Sequence, residues 1–195
     1  MSCDISNGRI EACKSSTSGI KACYIINYDK LNSDTATYLT SPVGSEDVLD
    51  TWVPIDTATA LNLYKFELKS NSNSFVQAIE SSRDNGTTFF TQTLVINLKK
   101  QDAITTKNVK LLAYGRPRIV VRSMTDQFFL VGLDQGADVS AGEISSGAAL
   151  GDFNGYSLTF TAQEELPANF IDCSDETTLA AVFNNGTDNA VIVTS

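Results

Sequence analysis

Apolar and polar residues alternate along most of this chain, which is the pattern of β-strands that bury one face. The clearest run covers residues 156–164, where apolar residues at 156, 158, 160 and 162 alternate with serine and threonine. Further strands are predicted at residues 20–28, 61–70, 75–81, 88–99, 119–122 and 127–133, and in a last hairpin at 177–183 and 190–194. The chain is therefore expected to be mainly β, as a β-sandwich or barrel of two packed antiparallel sheets.

One segment carries the signals of a helix. Asp102 or Thr105 is suited to cap the N-terminus of a helix over residues 102–114, and Gly115 followed by Pro117 ends it. Its apolar stripe is expected to contain Ile104, Asn108, Leu111 and Leu112. The predicted organisation is an N-terminal arm over residues 1–19 and a single β-sandwich domain over 20–195, with one α-helix.

Two segments interrupt the alternation. Residues 41–60 contain two prolines and four acids and are expected to form a long loop, in which Trp52 and Val53 are either interface residues or fold back onto the core. Six of the twelve glycines lie between Gly132 and Gly155. Because a phosphate-binding loop needs a following helix and usually a lysine, which are missing here, these glycines predict sharp bends.

Two neighbouring carboxylates, Glu164 and Glu165, end the clearest strand. Adjacent residues of a strand point to opposite faces, so the pair is not expected to act together on one bond. Both acids are expected to be solvated at the strand end.

The amino-acid composition limits the kinds of catalytic and metal site that this chain could form. The 195 residues include four cysteines and no histidine, and the spacing of Cys3, Cys13 and Cys23 is unlike that of a zinc site. Without histidine the commonest general base is missing, so no enzyme, metal or cofactor is expected. The first residues lack a secretory signal and no apolar run of about 18 residues occurs, so we expect a protein made in a cytoplasm with no membrane segment.

Charge is distributed very unevenly. All 14 lysines and arginines lie before residue 123, whereas the 73 residues from Ser123 onward contain 11 acids and no cation. A molecule with opposite poles favours head-to-tail contacts between copies, although both sets of charges could also serve solubility alone. The predicted interface cations are Lys99, Lys107, Lys110, Arg116, Arg118 and Arg122. They are expected to face acids of a neighbouring copy, such as Asp134, Asp138, Glu143 and Asp152. Trp52 is also predicted to lie at the subunit interface.

The acidic balance argues against nucleic-acid binding. With a formal net charge of −9 and a sequence pI near 4.4, the chain lacks the basic footprint that counterion release requires. An acidic surface instead repels DNA over a Debye length of about 8 Å and leaves it free to slide.

Several segments resemble the virion structural proteins of tailed bacteriophages, particularly those of Bacteroidetes hosts. They read GRIEACKSSTSGIKACYIINYD, NGTTFFTQTLVINLKKQD and VKLLAYGRPRIVVRSMTDQFFLVGLDQGADVSAGEISSGAALGDFNGYSLTFTAQEELPANFI. The layout, which covers residues 8–171, is most similar to that of tail tube proteins. No short diagnostic motif carries the likeness.

The resemblance implies a β-sandwich subunit that forms hexameric rings, stacked into a tube through which DNA passes in transit without specific binding. Its implied partners are further copies and other tail proteins such as a tape measure, sheath or terminator. Its implied location is the virion, after assembly in the host cytoplasm. Residues 41–60 and the last hairpin fit this layout less clearly, which leaves a head–tail connector or tail terminator role open.

A function of a different class is also compatible with a β-sandwich. A carbohydrate-binding or adhesion module would use an exposed aromatic ring as a stacking platform, and the candidates are Trp52, Tyr64 and Tyr156.

Overall fold

The computed structural model describes residues 8–10, 14, 17–42, 45–69 and 72–194. It is mainly β, with 42% of residues in strands and 14% in helices, and the expectation of a β-sandwich with packed antiparallel sheets is confirmed. Cys3 and Cys13, on which part of the metal argument depended, lie outside the described residues, as does most of the predicted arm. The elements are numbered β1–β11 and α1–α2 in chain order.

A five-stranded sheet forms the centre of the molecule. Its strands, in spatial order, are β11 (Val191–Val193), β4 (Asn62–Glu67), β1 (Ile20–Ile26), β7 (Arg118–Ser123) and β8 (Phe128–Val131). All pairs are antiparallel except β11 with β4. Six of the seven residues of β1 are buried, because both faces of this central sheet are covered.

A four-stranded sheet packs on one face of the central sheet. Its strands, in spatial order, are β5 (Ser74–Ser82), β6 (Thr87–Lys99), β10 (Gly155–Glu164) and β9 (Asp138–Ser145), and every pair is antiparallel. The alternation in β6 and β10 directs one row of side chains inward, including Leu94, Leu158 and Phe160, against Ile119 and Val121 of the central sheet. The opposite row faces away from the molecule.

A third layer covers the other face of the central sheet. It consists of a ribbon of β2 (Ala36–Tyr38) and β3 (Leu49–Trp52) and of helix α2 (Glu176–Val182). Together they enclose a second core around Tyr24 and Val120. The segment 41–60, expected to be a loop, therefore contains a strand that belongs to this layer.

The C-terminal hairpin was predicted wrongly. Residues 177–183 form most of α2 because Asp175 caps it: its carboxylate accepts a hydrogen bond from the Thr178 N–H at 2.8 Å, and Thr178 reciprocates. This capping box favours a helix where apolar content alone suggested a strand. β11 forms within the predicted second strand, but it pairs in parallel with β4.

Helix α1 (Ala103–Tyr114) begins and ends where the sequence predicted. The Asp102 carboxylate accepts from the Thr105 N–H at 2.7 Å, and Gly115 is the C-terminal cap. The predicted stripe is only partly correct, because α1 buries Val109 and partly buries Leu112 but leaves Ile104 and Leu111 exposed. The helix lies beside β9, at the side of the sandwich.

The glycine-rich segment contains bends and also a strand that was not predicted, β9. Gly132 and Gly136 both have positive φ, and a Cβ on Gly132 would lie 2.6 Å from the backbone of Gly136. The close approach of the two residues explains why glycine is needed there.

Candidate functional site

The four-stranded sheet has two long open edges. Six of the nine residues of β5 and six of the eight residues of β9 are exposed. Neither strand contains a lysine or a proline, the residues that most often protect sheet edges. A bulge interrupts the pairing of β9 with β10 near Ser140, so the longest regular stretch of β9 is residues 141–145. Both edges therefore present backbone groups that a further strand could bond, apart from the Ser145 carbonyl, which accepts a hydrogen bond from the Gln101 side chain at 2.7 Å.

The outward face of this sheet is lined mainly by hydroxyl side chains. Strand register places Thr93 and Thr161 side by side on it, with Ser140 bonded to Thr161 at 2.8 Å between their hydroxyl oxygens. Four charged residues share this face by register, three of them acids: Glu80, Asp138, Glu143 and Lys99. Val76 and Val95 also lie on this face by register, so the face is mainly polar, partly apolar and weakly acidic.

The two ends of β9 lead to different surfaces. After Ser145, residues 146–154 form a loop that returns the chain to β10, and we call it the β9–β10 loop. At the other end, Asp138 lines a groove between α1 and the strands β1 and β4, and we call it the α1 groove. Eight residues at about 3.3 Å each separate the two ends by roughly 25 Å.

Four of the predicted interface cations have no acidic partner within the described residues: Lys99, Lys107, Lys110 and Arg116. Lys107 and Lys110 lie on α1, whose C-terminal end borders the α1 groove, and the Arg116 guanidinium lies 4.1 Å from the centre of the Tyr28 ring. These cations remain available to another molecule.

Arg118 is not available to another molecule, which corrects the prediction that it lies at the interface. Its side chain is 2% exposed and donates hydrogen bonds to the carbonyl oxygens of Leu133 at 2.8 Å, Tyr28 at 2.7 Å and Leu31 at 2.9 Å. Burial lowers the pKa of Arg118, with nearby Tyr28 and Asp134 opposing the shift. The residue joins two segments of its own molecule, the turn at residues 28–31 and the loop after β8.

Arg122 is also used within the molecule. Its guanidinium lies 2.6 Å from a carboxylate oxygen of Asp126 and 3.5 Å from one of Glu176, and Lys65 lies 2.7 Å from the same Glu176 oxygen. Burial raises the pKa of Glu176, but hydrogen bonds from Lys65 and Tyr24 outweigh it and hold that pKa below its ordinary value. Part of the basic cluster is thus neutralised by the chain's own acids.

Trp52 is likewise not an interface residue. It is fully buried, its ring packs against Phe183, and its Nε1 donates to the Asn32 carbonyl at 2.7 Å. The alternative, that Trp52 folds back onto the core, is the one the structure shows. Tyr156 is buried as well, so Tyr64 is the one exposed ring of the three predicted stacking platforms.

The four predicted acids divide into two pairs. Asp138 lines the α1 groove, and Asp134, four residues earlier, accepts a hydrogen bond from the Tyr28 hydroxyl at its carbonyl. Glu143 and Asp152 lie at the other end of β9. None of the four forms an ion pair within the described part of the chain.

Glu164 and Glu165 differ in exposure: Glu165 is exposed, as expected, but Glu164 is not solvated. It is buried, and its carboxylate accepts hydrogen bonds from the N–H groups of Asp134 at 3.1 Å and Gln135 at 2.9 Å. Burial raises its pKa, while these two bonds act in the opposite direction. The residue holds the turn after β8 in place.

The two described thiols, Cys23 and Cys173, are not paired in a disulfide. Burial raises the pKa of both Cys23 and Cys173 to about 12. Among the described residues, no group of three or more cysteine or acidic side chains is placed to hold a metal ion. In that same part of the chain, no helix has the length and apolar character needed to cross a membrane.

Sequence reasoning missed the open edge of β9 and the exposed Leu150 in the β9–β10 loop. Leucine among four small residues in a turn, GAALG, was the available signal.

The chain matches no protein-family model, no curated protein and no solved structure.

Proposed function

We propose that this protein is a structural subunit of a phage tail tube, which assembles into rings by pairing the β5 edge of one copy with the β9 edge of the next. The observation that carries the proposal is the presence of two long, exposed edges on a single sheet. Such edges bond further strands unless something prevents it. The sequence resemblance to tail tube proteins supports the same function.

Strand direction favours this contact. β5 and β9 run in opposite directions, because three antiparallel pairings separate them. Copies related by rotation about an axis parallel to the strands keep their strand directions. The β5 edge of one copy therefore meets an antiparallel β9 edge of its neighbour, and the alternation continues around the ring.

The outward face of the sheet then lines the channel. It carries hydroxyl groups, three acids and one lysine per copy, so the channel wall has little to bind DNA phosphates and repels them weakly. DNA would pass without being held.

The proposed role involves no reaction, cofactor or membrane. The partners are other copies and neighbouring tail proteins, and the location is the virion after assembly in the host cytoplasm. A connector or terminator would use the same edges to form a ring and differ in not stacking further copies of itself.

Carbohydrate binding is the alternative of another class. Tyr64 is the remaining candidate for a ring that stacks against a sugar. This alternative predicts saturable binding in a glycan array, where the ring proposal expects none.

The test is a pair of proline variants in β5, Ala78→Pro and Ile79→Pro. In an antiparallel edge strand, consecutive residues direct their N–H groups alternately to the partner strand and to the open edge. One of the two variants therefore removes an N–H group at the open edge and spares the fold, whereas the other breaks a hydrogen bond to β6.

We expect wild-type rings in negative-stain images, and no rings from the proline variant that keeps the wild-type circular dichroism. Rings formed by that well-folded variant would overturn the β5–β9 contact.

A further inference from the structure

The α1 groove is a built, partly apolar recess. It encloses about 790 Å³ between helix α1 and the strands β1 and β4. Its walls include Tyr64 and Phe66 from the central sheet and Leu111 and Tyr114 from α1. Leu111 is 59% exposed and Tyr114 is 85% exposed, so the helix presents large apolar side chains that its own fold does not cover.

Helix α1 carries two lysines beside this groove. Lys107 precedes Leu111 by four residues and Lys110 precedes Tyr114 by four, which places each lysine next to an exposed apolar side chain on the helix surface. Arg116 lines the groove itself. The groove is also lined by Asp29, Lys30 and Asp138, so its lining as a whole is not basic. Lys107, Lys110 and Arg116 have no acidic partner among the described residues, so the side of the groove that they border suits an occupant that is apolar and acidic.

The β9–β10 loop has this chemistry. It carries Leu150, which is fully exposed, the partly exposed Phe153, and Asp152, and it contains no cation. A single exposed apolar side chain is common, but this loop exposes two within four residues, next to the carboxylate of Asp152.

The loop is also held in one shape. The Asp152 carboxylate accepts from the N–H groups of Ala148 at 2.9 Å and Ala149 at 2.7 Å, and the Lys100 N–H bonds the Asn154 carbonyl at 2.8 Å. Two backbone bonds lower the pKa of Asp152, so its charge persists. A pre-organised loop loses little conformational freedom when it binds.

We infer that the β9–β10 loop of one copy docks in the α1 groove of a second copy, with Leu150 against Leu111 and Tyr114, and Asp152 near the lysines of α1. The loop and the groove lie at opposite ends of β9, so the contact is head to tail and repeats in one direction. A stack of rings would follow from this contact. That consequence rests on the proposed function, because a ring repeats the small contact once in every copy and so strengthens the binding of one ring to the next.

The first test compares two variants at one position. Leu150→Asp removes the apolar side chain and should shorten stacks of rings in electron micrographs by at least about tenfold, while single rings persist. Leu150→Met keeps an apolar side chain of similar size and should stack as the wild type does. Stacks of normal length from Leu150→Asp would overturn the inference.

The second test detects the contact directly. In a full-length background with Cys3→Ser and Cys13→Ser, one preparation carries Leu150→Cys and another carries Leu111→Cys. After mild oxidation of the mixture, we expect a disulfide between the two variants, well above the self-linked product of either alone, because a disulfide requires Cα atoms within about 7 Å.

The outcomes separate this inference from the ring proposal. A mixed disulfide without rings would support the docking contact and contradict the ring. Rings without the mixed disulfide would support the ring and overturn the docking contact.

Discussion

The two large sheets of this molecule differ in what covers them. The central sheet is covered on both faces, its β8 edge is bonded by the segment at Asn169 and Ile171, and its other edge strand, β11, has three residues. The four-stranded sheet is covered on one face only, and both its edges are long and exposed. The comparison indicates that the first sheet stabilises the subunit, and it supports the proposal that the second serves contact with other copies.

The largest expected difference between the two regions concerns Trp52. Trp52→Ala removes a fully buried ring behind the central sheet and should lower the free energy of unfolding by about 3–5 kcal/mol. Chemical denaturation measures this effect. An unchanged denaturation midpoint would mean that the third layer does not stabilise the central sheet.

The two neighbouring arginines give a matched comparison. Arg118→Ala leaves three carbonyl groups without their donor and should cost about 3 kcal/mol or more, whereas Arg116→Ala on the exposed wall of the groove should cost less than about 0.5 kcal/mol. Equal losses in denaturation would contradict the assignment of one arginine to the fold and the other to the surface.

A pH dependence follows from Glu176, which joins the central sheet to α2. Its folded pKa lies below the ordinary value, so its ion pairs stabilise the protein above that ordinary value, and the contribution is lost as pH falls through the lowered pKa. Glu176→Gln should therefore reduce the melting temperature at pH 7 and make little difference well below pH 4. A constant difference across this range would show that the charge of Glu176 does not matter.

The smallest expected effect is on the outward face of the four-stranded sheet. Thr93→Ala removes a hydroxyl from an open surface and should change the free energy of unfolding by less than about 0.5 kcal/mol, with rings still formed. A large loss in denaturation would show that this face is covered within the subunit.

The sequence predicted most of the fold because local signals agree with it. Alternation located β6 and β10 to within a residue, and Asp102 and Gly115 gave the bounds of α1. The errors arose where competing local signals were present: the cap at Asp175 favours a helix over the predicted strand, and glycines concealed β9.

The interface prediction was less accurate, for a tertiary reason. Charge along the chain does not distinguish Arg116 from Arg118, since only the fold directs one to solvent and the other to three carbonyls. In the same way, apolar content did not distinguish the buried Trp52 from the exposed Leu150.

The central claim is that the edges of the four-stranded sheet bond other copies, and amide hydrogen exchange tests it most directly. In assembled protein compared with dilute monomer, we expect slower exchange in β5 and in residues 141–145 of β9, with no change in β8. Equal exchange of β5 and β9 in the assembled and monomeric states would contradict the claim.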